Sequence, residues 1–547
     1  MAAMAPTNAR AGFSVVDCSV SPPRVSVPRD YNAAVDLIDR QVAGGRGQHI
    51  AIRDDLGSYS YAELADRTAR AAGALRALGV ELEQRVVLCL LDTIDFPTVF
   101  FGAMRAGAVP VPISTLLTTA DYEFLVADSR ARVLVVSAAL YPKFAPLVAA
   151  GALPLLRHVV VAGGEEEASP PGTVALGALL EAARPADGEA AATTCDDTAF
   201  WLYTSGSTGK PKAAVHLHAN LVQTAALYGQ GVLGLQPGDV VYSAAKLFFA
   251  YGLGNSLTMP LHAGATTVLR AARPTAAEVM HVLATYKPSI FYGVPTLFAS
   301  ILAESTLSAA PGSPALRLSV SAGEALPRAL GERWRERFGS DILDGIGSTE
   351  MLHIFLSNRP GQVRYGTTGQ PVPGYELKLV GDDGAPAGDG EQGELWVRGP
   401  SCCSGYSRQR ERSLLTFHGP WTRTGDRYVR DGDGYYTFCG RADDMLKVGG
   451  IWVSPFEIES ALTAHPAVCE AAVVGHADEA GLIKPRAFVV LKDPAAAGPA
   501  LAAELKVWVK ERLAPYKYPR WIEFVPELPK TATGKTQRFR LRGGAAP

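Results

Sequence analysis

Short apolar runs alternate with longer amphipathic segments through the first two thirds of the chain. Arg85–Leu91 is nearly continuous in apolar residues, which is typical of a strand buried on both faces. Glu63–Leu78 instead repeats its apolar residues at helical spacing, as does Ala276–Tyr286. This alternation predicts an α/β fold in which largely parallel sheets are layered with helices. The further elements predicted here are Phe96–Ala106, Arg132–Ser137, His158–Ala162, Val240–Ser243, Thr266–Leu269, Ser289–Gly293, Leu316–Ser321 and Asp341–Asp344.

The pattern changes near residue 345, where turn signals such as Asp382-Asp383-Gly384 crowd together. The short runs between them, Glu394–Arg398 and Tyr435–Cys439, predict a smaller antiparallel β unit. A compact α+β unit follows, and we place its boundary in the polar stretch Arg441–Asp444, which gives two domains, residues 1–440 and 441–547. The elements predicted in the second domain are Pro455–Ala464, Val468–Val474, Arg486–Leu491, Ala500–Leu513 and Trp521–Val525.

Composition excludes several classes of protein. The chain has 547 residues, 48% of them hydrophobic, and a formal net charge of −2, so it is globular and carries no global field that would attract nucleic acid or an anionic membrane. The longest apolar run, Phe144–Leu156, is too short to cross a bilayer, and the N-terminus lacks a signal-peptide pattern. Seven scattered cysteines without a C-x-x-C pair predict buried free thiols. We expect a soluble cytoplasmic protein.

The stretch Tyr203–Lys212 (YTSGSTGKPK) follows the apolar residues 199–202 and is rich in glycine, hydroxyl groups and lysine. Such a stretch forms either an ordinary surface loop or a cradle in which backbone N–H groups and hydroxyls bind phosphate. It does not fit the P-loop pattern, because Gly206 and Gly209 are too close together and Pro211 follows Lys210. We therefore predict a nucleotide-binding loop of another kind.

Four further stretches accompany this loop, and each alone would pass for a turn, a helix cap or a solvated tail. They are DGIGSTE (Asp344–Glu350), WTRTGD (Trp421–Asp426), GRADDMLKVGGIWVSPFEIE (Gly440–Glu459) and PKTATGKTQR (Pro529–Arg538). Together and in this order they resemble the acyl-adenylating superfamily, which includes acyl- and aryl-CoA synthetases, peptide-synthetase adenylation domains and luciferases. The resemblance covers about residues 30–540.

The resemblance implies a fold and a reaction. Residues 1–440 would form a large domain of stacked α/β subdomains plus a β subdomain, which binds ATP and the acid. Residues 441–547 would form a small, mobile α+β domain. The family's enzymes join a carboxylate to the α-phosphate of ATP with release of pyrophosphate, and many of them then transfer the acyl group to coenzyme A. The site must therefore neutralise and align two anions.

By the same resemblance, Thr349 would hydrogen-bond the α-phosphate and Glu350 would help to hold Mg²⁺. Asp426 would accept hydrogen bonds from the ribose hydroxyls. Where the family has an aromatic residue before the Gly-x-Thr-Glu pattern, this chain has Ile346. The residues implied in binding ATP or AMP are Thr204, Ser205, Gly206, Ser207, Thr208, Gly209, Lys210, Gly323, Glu324, Ala325, Asp344, Gly345, Ile346, Gly347, Ser348, Asp426 and Arg441.

The C-terminal motifs imply a two-conformation mechanism. Lys535 would be the adenylation catalyst, because a mobile ammonium between the carboxylate and the α-phosphate offsets their repulsion. Asp443 matches the family's hinge residue, about which the C-terminal domain would rotate before the second half-reaction. Gly449 and Gly450 would then line the tunnel for the pantetheine arm of CoA, where the lack of a side chain permits close passage.

Two stretches indicate which class of carboxylic acid the enzyme would bind. KLFFAYGLGN (Lys246–Asn255) and STEMLHIFLSN (Ser348–Asn358) resemble benzoate–CoA ligases. This implies that the aromatic ring is surrounded by Ala250, Tyr251, Gly347, His353 and Ile354. A flat apolar acid suits a slot with small residues at its faces and aromatic or branched walls.

Alternatives remain open at this stage. His353 is either an ordinary buried histidine or a group that reads a hydroxyl or amino substituent on the ring. The leading interpretation is a benzoate–CoA ligase. The alternatives are an enzyme that loads an aryl acid onto an acyl carrier protein, and a nucleotide-binding regulator on the same scaffold. The intact set of Lys535, Glu350, Asp426 and the loop argues against the regulator. A homodimer is one open alternative for the assembly.

Overall fold

A computed structural model describes residues 12–163, 170–204, 211–304, 315–441, 444–448, 451–479, 482–514, 517–530 and 536–542. It confirms the α/β fold, with a large N-terminal part and a smaller C-terminal part. Several predicted elements have the bounds expected from sequence, among them the strand Val240–Ser243 and the helix Ala276–Tyr286. The predicted strand Asp341–Asp344 is longer and runs over Asp341–Gly347, so the glycines of DGIGSTE belong to its end.

A nine-stranded sheet forms the centre of the large part. Its inner strands run parallel, and antiparallel strands close both edges. Apolar runs such as Ile290–Gly293 are buried along their whole length, as expected for a strand covered on both faces. In spatial order the strands are Gln370–Pro371, Ile354–Ser357, Asp341–Gly347, Leu318–Ser321, Ile290–Gly293, Val240–Ser243, Thr266–Val268, Ile50–Arg53 and Ser58–Ser60.

A second sheet of five parallel strands lies N-terminal in the chain. The helices Tyr61–Ala77 and Asp95–Arg105 pack against each other beside it, and the first begins at a capping box in which Ser60 and Glu63 exchange hydrogen bonds. In spatial order the strands are Val109–Pro112, Arg85–Cys89, Val133–Ser137, His158–Ala162 and Val174–Ala175.

Two short antiparallel pairs complete the N-terminal part. Val15–Asp17 pairs with Arg24–Ser26. Thr198–Thr204 pairs with Lys212–Leu217, so the two ends of the predicted phosphate loop, Thr204 and Lys212, face each other across a hairpin. Residues 205–210 lie outside the described part.

The predicted antiparallel β unit is present. Its strands are Glu376–Val380, Gln392–Arg398, Phe417–His418, Trp421–Arg430 and Tyr436–Arg441. The C-terminal part is α+β, as predicted, and contains the strands Leu446–Val448, Ile451–Val453, Val468–Ala477, Ile483–Leu491 and Trp521–Phe524.

Helices cover the sheets and connect their strands. Some contain π-helical turns, such as Gly254–Thr258 between Ala250–Leu253 and Met259–Ala263. The α-helices not yet named are Thr119–Ser129, Ala145–Ala149, Leu176–Ala182, His218–Thr224, Pro295–Ala303, Arg328–Phe338, Arg410–Thr416, Pro455–Thr463, Pro499–Arg512 and Arg538–Arg542. Among the described residues, no helix is both long and apolar enough to cross a membrane.

The cysteines are free thiols, but the prediction that they are buried was wrong for part of the set. Cys89 and Cys403 are buried, whereas Cys18 and Cys469 are exposed. Cys18 lies between two short strands, and Cys469 lies at the start of the strand Val468–Ala477, whose burial is interrupted there. Both positions are at the surface, so the apolar character of the thiol does not dictate burial.

Candidate active site

Glu350 lies at the centre of a small network of charged and polar groups. Its Oε1 atom is 3.3 Å from Lys212 Nζ and accepts a 2.6 Å hydrogen bond from the Tyr406 hydroxyl. The Lys212 ammonium also donates to the Tyr406 oxygen over 2.5 Å. Burial alone would raise the pKa of Glu350, but Lys212 and Tyr406 outweigh it and hold the pKa below its usual value. The carboxylate is therefore charged at neutral pH.

The backbone around Glu350 is fixed by two other segments of the chain. His216 Nε2, on the strand Lys212–Leu217, donates to the carbonyl oxygen of Thr349 over 2.8 Å. Burial lowers the pKa of His216 to about 4, so the ring is neutral. On the other side, the Cys403 N–H donates to the Glu350 carbonyl over 2.8 Å. Thr349 and Glu350 are thus held between the phosphate-loop hairpin and residues 401–407.

The predicted phosphate loop is anchored at both of its described ends. Tyr203, just before the loop, donates to Asp128 over 2.7 Å. Asp128 also forms a 2.5 Å ion pair with Arg408. At the other end, Lys212 contacts Glu350 and Tyr406, as described above. These contacts connect three separate parts of the chain at the base of the loop, and Thr204 lies part-exposed at its start.

Asp426 and Arg441 face each other on neighbouring strands of the β unit. Arg441 Nη1 lies 3.0 Å from Asp426 Oδ1 and donates to the Thr424 carbonyl over 3.0 Å. Asp426 is only partly exposed, and Gly425 before it has φ +73°, a left-handed conformation that favours glycine. Two residues that sequence assigned to the nucleotide are therefore brought together.

The segment assigned to adenine, Gly323 to Ala325, follows the strand Leu318–Ser321. Ser321 pairs with Asp344, so this segment begins beside DGIGSTE. Burial raises the pKa of the Asp344 carboxyl well above its ordinary value, which favours its protonated form. The Glu324 carboxylate also has a favourable electrostatic interaction with the Arg538 guanidinium in the C-terminal part.

Two of the residues assigned to the aromatic ring, Tyr251 and His353, form an aromatic cluster with Tyr228. Tyr251 and His353 have ring centroids 5.7 Å apart, and Tyr228 lies 5.4 Å from His353. The Tyr251 hydroxyl donates to backbone carbonyl oxygens at the ends of two central strands, Gly293 at 3.3 Å and Val320 at 3.1 Å. Ala250 and Tyr251 are only half-buried, although the helix residues that follow them are buried. Tyr251 is therefore partly accessible at the ends of two parallel strands.

His353 is buried and neutral, because burial lowers its pKa to about 3. Its Nε2 atom donates to Asn255 Oδ1 over 3.0 Å. The other ring nitrogen, Nδ1, has no hydrogen-bond partner among the described residues. A neutral ring that donates through Nε2 leaves Nδ1 as an acceptor.

Two glycines allow this packing. A Cβ atom at Gly254 would lie 2.2 Å from His353 Cδ2, and one at Gly347 would lie 2.4 Å from the His353 carbonyl oxygen. Gly347, the last residue of the strand Asp341–Gly347, pairs with Ile354, so both predicted ring contacts lie just before Ser348 and Thr349 in the structure. The Ser348 hydroxyl accepts from the Met351 N–H over 3.2 Å and so stabilises the turn.

Several predicted site residues lie outside the described residues, and their assignments stay predictions. They are Ser205, Gly206, Ser207, Thr208, Gly209, Lys210, Asp443, Gly449, Gly450 and Lys535. Among the residues described, no group of three or more histidine, cysteine or acidic side chains is arranged to hold a metal ion.

The sequence-based list omitted Tyr406, Asn255 and His216. Tyr406 lies in the unremarkable stretch SGYSRQ, so its contact with Glu350 requires the tertiary structure. Asn255 lies at the end of KLFFAYGLGN, and its spacing of four residues from Tyr251 was the available signal. Lys212 is the last residue of the predicted nucleotide-binding loop, but the sequence pattern did not identify it as a site residue.

Comparison with known proteins agrees with this arrangement. Residues 38–407 match the AMP-binding enzyme family, and residues 457–535 match the AMP-binding enzyme C-terminal domain. A benzoate–CoA ligase of Thauera aromatica is 57% identical over 532 residues, which cover 97% of this chain and 99% of that protein. A 4-hydroxybenzoate–CoA/benzoate–CoA ligase of Rhodopseudomonas palustris is 51% identical and covers 94% of each chain.

Solved structures give the same result. The structure of a benzoate CoA ligase from Burkholderia xenovorans LB400 superposes with a TM-score of 0.86 at 52% identity and covers 93% of this chain and 99% of that one. The family match spans well over half of the chain, and the relatives span nearly all of it. The chain therefore belongs to the family of AMP-binding, acyl-adenylating enzymes.

Proposed function

We propose that this enzyme is a benzoate–CoA ligase. The observation that carries the proposal is the neutral aromatic cluster of Tyr228, Tyr251 and His353 beside the charged Glu350 network, in a chain 57% identical to a benzoate–CoA ligase over nearly its full length. An uncharged aromatic wall suits a benzene ring, and a charged neighbouring site suits a triphosphate.

In the first half-reaction, a carboxylate oxygen of benzoate forms a bond to the α-phosphorus of ATP. The bond from that phosphorus to the oxygen that bridges to the β-phosphate breaks, and pyrophosphate leaves. Thr349, at the end of the DGIGST segment, is proposed to donate to the α-phosphate. Asp426 is proposed to accept from the ribose hydroxyls, and the Lys535 ammonium is proposed to lie between the two reacting anions.

Mg²⁺ fits this site only in part. Mg²⁺ usually takes one or two protein carboxylates and completes its shell with water and substrate phosphate. Glu350 is a charged carboxylate, and its contacts with Lys212 and Tyr406 both fall on Oε1, so we propose Oε2 as the metal ligand. The ion would supply charge neutralisation on the phosphates.

In the second half-reaction, the CoA sulfur attacks the carbonyl carbon of benzoyl-AMP and AMP leaves. We propose that the C-terminal domain rotates about Asp443 so that Gly449 and Gly450 line the path of the pantetheine arm. A carrier-protein acceptor and a homodimeric assembly are open alternatives, and a cytoplasmic location, where both ATP and CoA are available, is a prediction.

The decisive experiment supplies purified protein with ATP, Mg²⁺ and one acid at a time, with and without CoA. The acids are benzoate, 4-hydroxybenzoate, 2-aminobenzoate and a medium-chain fatty acid. We expect AMP, pyrophosphate and benzoyl-CoA from benzoate. Release of ADP and phosphate would contradict adenylation. Benzoyl-AMP that is accepted only by a carrier protein's phosphopantetheine would establish the carrier-loading alternative instead.

A further inference from the structure

Three extended segments lie side by side next to Glu350. The strand Lys212–Leu217 pairs on one side with the strand Thr198–Thr204. On its other side its backbone is hydrogen-bonded to residues 404–407. The central strand begins with Lys212 and the third segment contains Tyr406, so both side chains that contact the Glu350 carboxylate belong to this three-stranded unit.

Asp128 connects the two outer segments of the unit. It lies in the last turn of the helix Thr119–Ser129, which belongs to a separate part of the chain. The Tyr203 hydroxyl donates to Asp128 Oδ2 over 2.7 Å, and Arg408 Nη2 donates to Asp128 Oδ1 over 2.5 Å. Tyr203 belongs to one outer strand and Arg408 directly follows the other. One carboxylate therefore holds both sides of the central strand.

The backbone of Arg408 supports a specific role for this contact. Arg408 has φ +53°, a left-handed conformation that is unfavourable for a residue with a side chain. Its guanidinium also donates to the Asp128 carbonyl oxygen. That oxygen is one of the last four carbonyl groups of the helix, which lack partners within the helix and interact favourably with a cation. The two contacts with Asp128 thus help to hold Arg408 in an unfavourable conformation.

The arrangement differs from an isolated surface ion pair, which usually contributes little. Only 21% of the Asp128 side chain is exposed, and the carboxylate has two partners from different segments. Burial and the neighbouring Asp128 raise the pKa of Tyr203, so its hydroxyl keeps its proton and remains a donor. Both hydrogen bonds to the carboxylate are therefore charge-assisted.

We propose that Asp128 is a positioning residue for adenylation, which acts through Tyr203 and Arg408. By holding the outer segments of the unit, it keeps Lys212 and Tyr406 in place around Glu350. The inference rests on the proposed function, in which Glu350 holds the magnesium ion of MgATP. Loss of the Asp128 carboxylate should therefore weaken the interaction with MgATP and leave the binding of the acid unchanged.

The first test is Asp128→Ala, assayed by benzoate-dependent exchange of pyrophosphate into ATP. We expect the KM for MgATP to rise about tenfold, as for the loss of a hydrogen bond to a charged group, with little change in the KM for benzoate. The matched control is Asp121→Ala at the start of the same helix, which removes the capping box with Thr118. It should lower stability and leave both KM values unchanged.

Two results of this test would overturn the proposal. One is a KM for MgATP in folded Asp128→Ala that equals the wild-type value. The other is an equal rise in the KM values for MgATP and benzoate, which indicates general loosening of the fold.

A double-mutant cycle tests whether the three residues act as one unit. Tyr203→Phe and Arg408→Gln each remove a donor and should each raise the KM for MgATP, and Arg408→Lys should recover part of the loss. In the Asp128→Ala background both changes should have a much smaller effect, because the acceptor is already gone. Fully additive effects would overturn the proposal. If Asp128→Ala does not fold, an unchanged KM for MgATP in Arg408→Gln would do so.

Calorimetric titration with MgATP in the absence of an acid separates this inference from the proposed function. We expect the Kd for MgATP to rise in Asp128→Ala and to stay at the wild-type value in Asp121→Ala. An unchanged Kd in folded Asp128→Ala would overturn the role of Asp128. A lack of benzoate-dependent exchange in the wild-type protein would instead count against the proposed function, and the titration would still decide the role of Asp128.

Discussion

At the scale of single residues, the main electrostatic feature is that Glu350 stays charged although only 13% of its side chain is exposed to solvent. A buried carboxylate is unfavourable unless charge and hydrogen bonds replace the lost water. Lys212 supplies the charge and Tyr406 supplies the hydrogen bond, so both act on the proposed reaction through Glu350. We therefore infer that Lys212 and Tyr406 position Glu350.

We therefore expect Lys212→Met to slow benzoate-dependent pyrophosphate exchange by about 10²-fold or more, because it leaves the Glu350 charge without its cation. Tyr406→Phe removes one hydrogen bond to a charged group and should cost about tenfold. Lys212→Arg should recover part of the loss. The control is Arg398→Met, which breaks a well-exposed ion pair with Glu376 and should change the rate little. Equal rates in folded Lys212→Met and wild-type protein would remove Lys212 from this role.

At the scale of elements, the sequence predicted most helices and strands because their apolar periodicity is strong and local. It could not predict the order of the central sheet, in which the strand Val240–Ser243 lies between Thr266–Val268 and Ile290–Gly293. It also could not show that Tyr406 reaches Glu350, because that contact depends on the pairing of residues 404–407 with the strand Lys212–Leu217. The ring residues were available from sequence only through a resemblance.

The helix that contains Gly254 packs closely against the His353 ring. Gly254→Ala should displace the ring, because the new methyl group would lie 2.2 Å from its Cδ2 atom. Overpacking of this kind costs about 1–3 kcal/mol, so we expect the KM for benzoate to rise roughly tenfold with little change in the KM for MgATP. The control is Gly238→Ala, where a Cβ atom meets nothing within 4 Å. A folded Gly254→Ala enzyme with an unchanged KM for benzoate would contradict the assignment of His353.

At the scale of the whole molecule, four buried histidines make stability depend on pH. Burial lowers the pKa of His216, His218 and His262 from 6.5 to about 4, and that of His353 to about 3. In the unfolded chain these groups accept protons at a higher pH than in the folded protein. The contribution of these histidines to the free energy of unfolding should therefore be at its full value above about pH 6.5 and fall as the pH decreases toward 4.

The expected loss is about 2 kcal/mol at pH 5 for each histidine whose folded pKa is about 4. It is measured as the free energy of unfolding in urea from pH 5 to 8. His262→Leu should make the pH dependence shallower, because it removes one of the four titrating groups. Leucine is a suitable replacement, since neither ring nitrogen of His262 has a hydrogen-bond partner among the described residues. His418→Gln, at an exposed position, should leave it unchanged. A pH dependence in folded His262→Leu equal to that of the wild-type protein would contradict this account.

The rotation proposed for the C-terminal domain also belongs to the scale of the whole molecule. Asp444, next to the predicted hinge residue Asp443, is ion-paired with Arg538 and Arg542, which follow the predicted catalyst Lys535 in the chain. Arg538 is also paired with Glu459 at 2.7 Å. These contacts couple the start of the C-terminal domain to the segment after Lys535. We therefore expect the lysine and the hinge-adjacent residues to move together.

The two half-reactions test this rotation when they are assayed separately. Lys535→Ala should slow formation of benzoyl-AMP by about 10²-fold or more, because a preorganised charge is lost, and should still transfer the benzoyl group from supplied benzoyl-AMP to CoA. Gly450→Leu should do the reverse and give a burst of benzoyl-AMP followed by slow thiolysis, because a branched side chain would obstruct the pantetheine path. Asp443→Pro restricts the hinge backbone and should resemble Gly450→Leu if the domain rests in the adenylating position. If Lys535→Ala and Gly450→Leu slow both half-reactions equally, the two residues do not serve separate conformations.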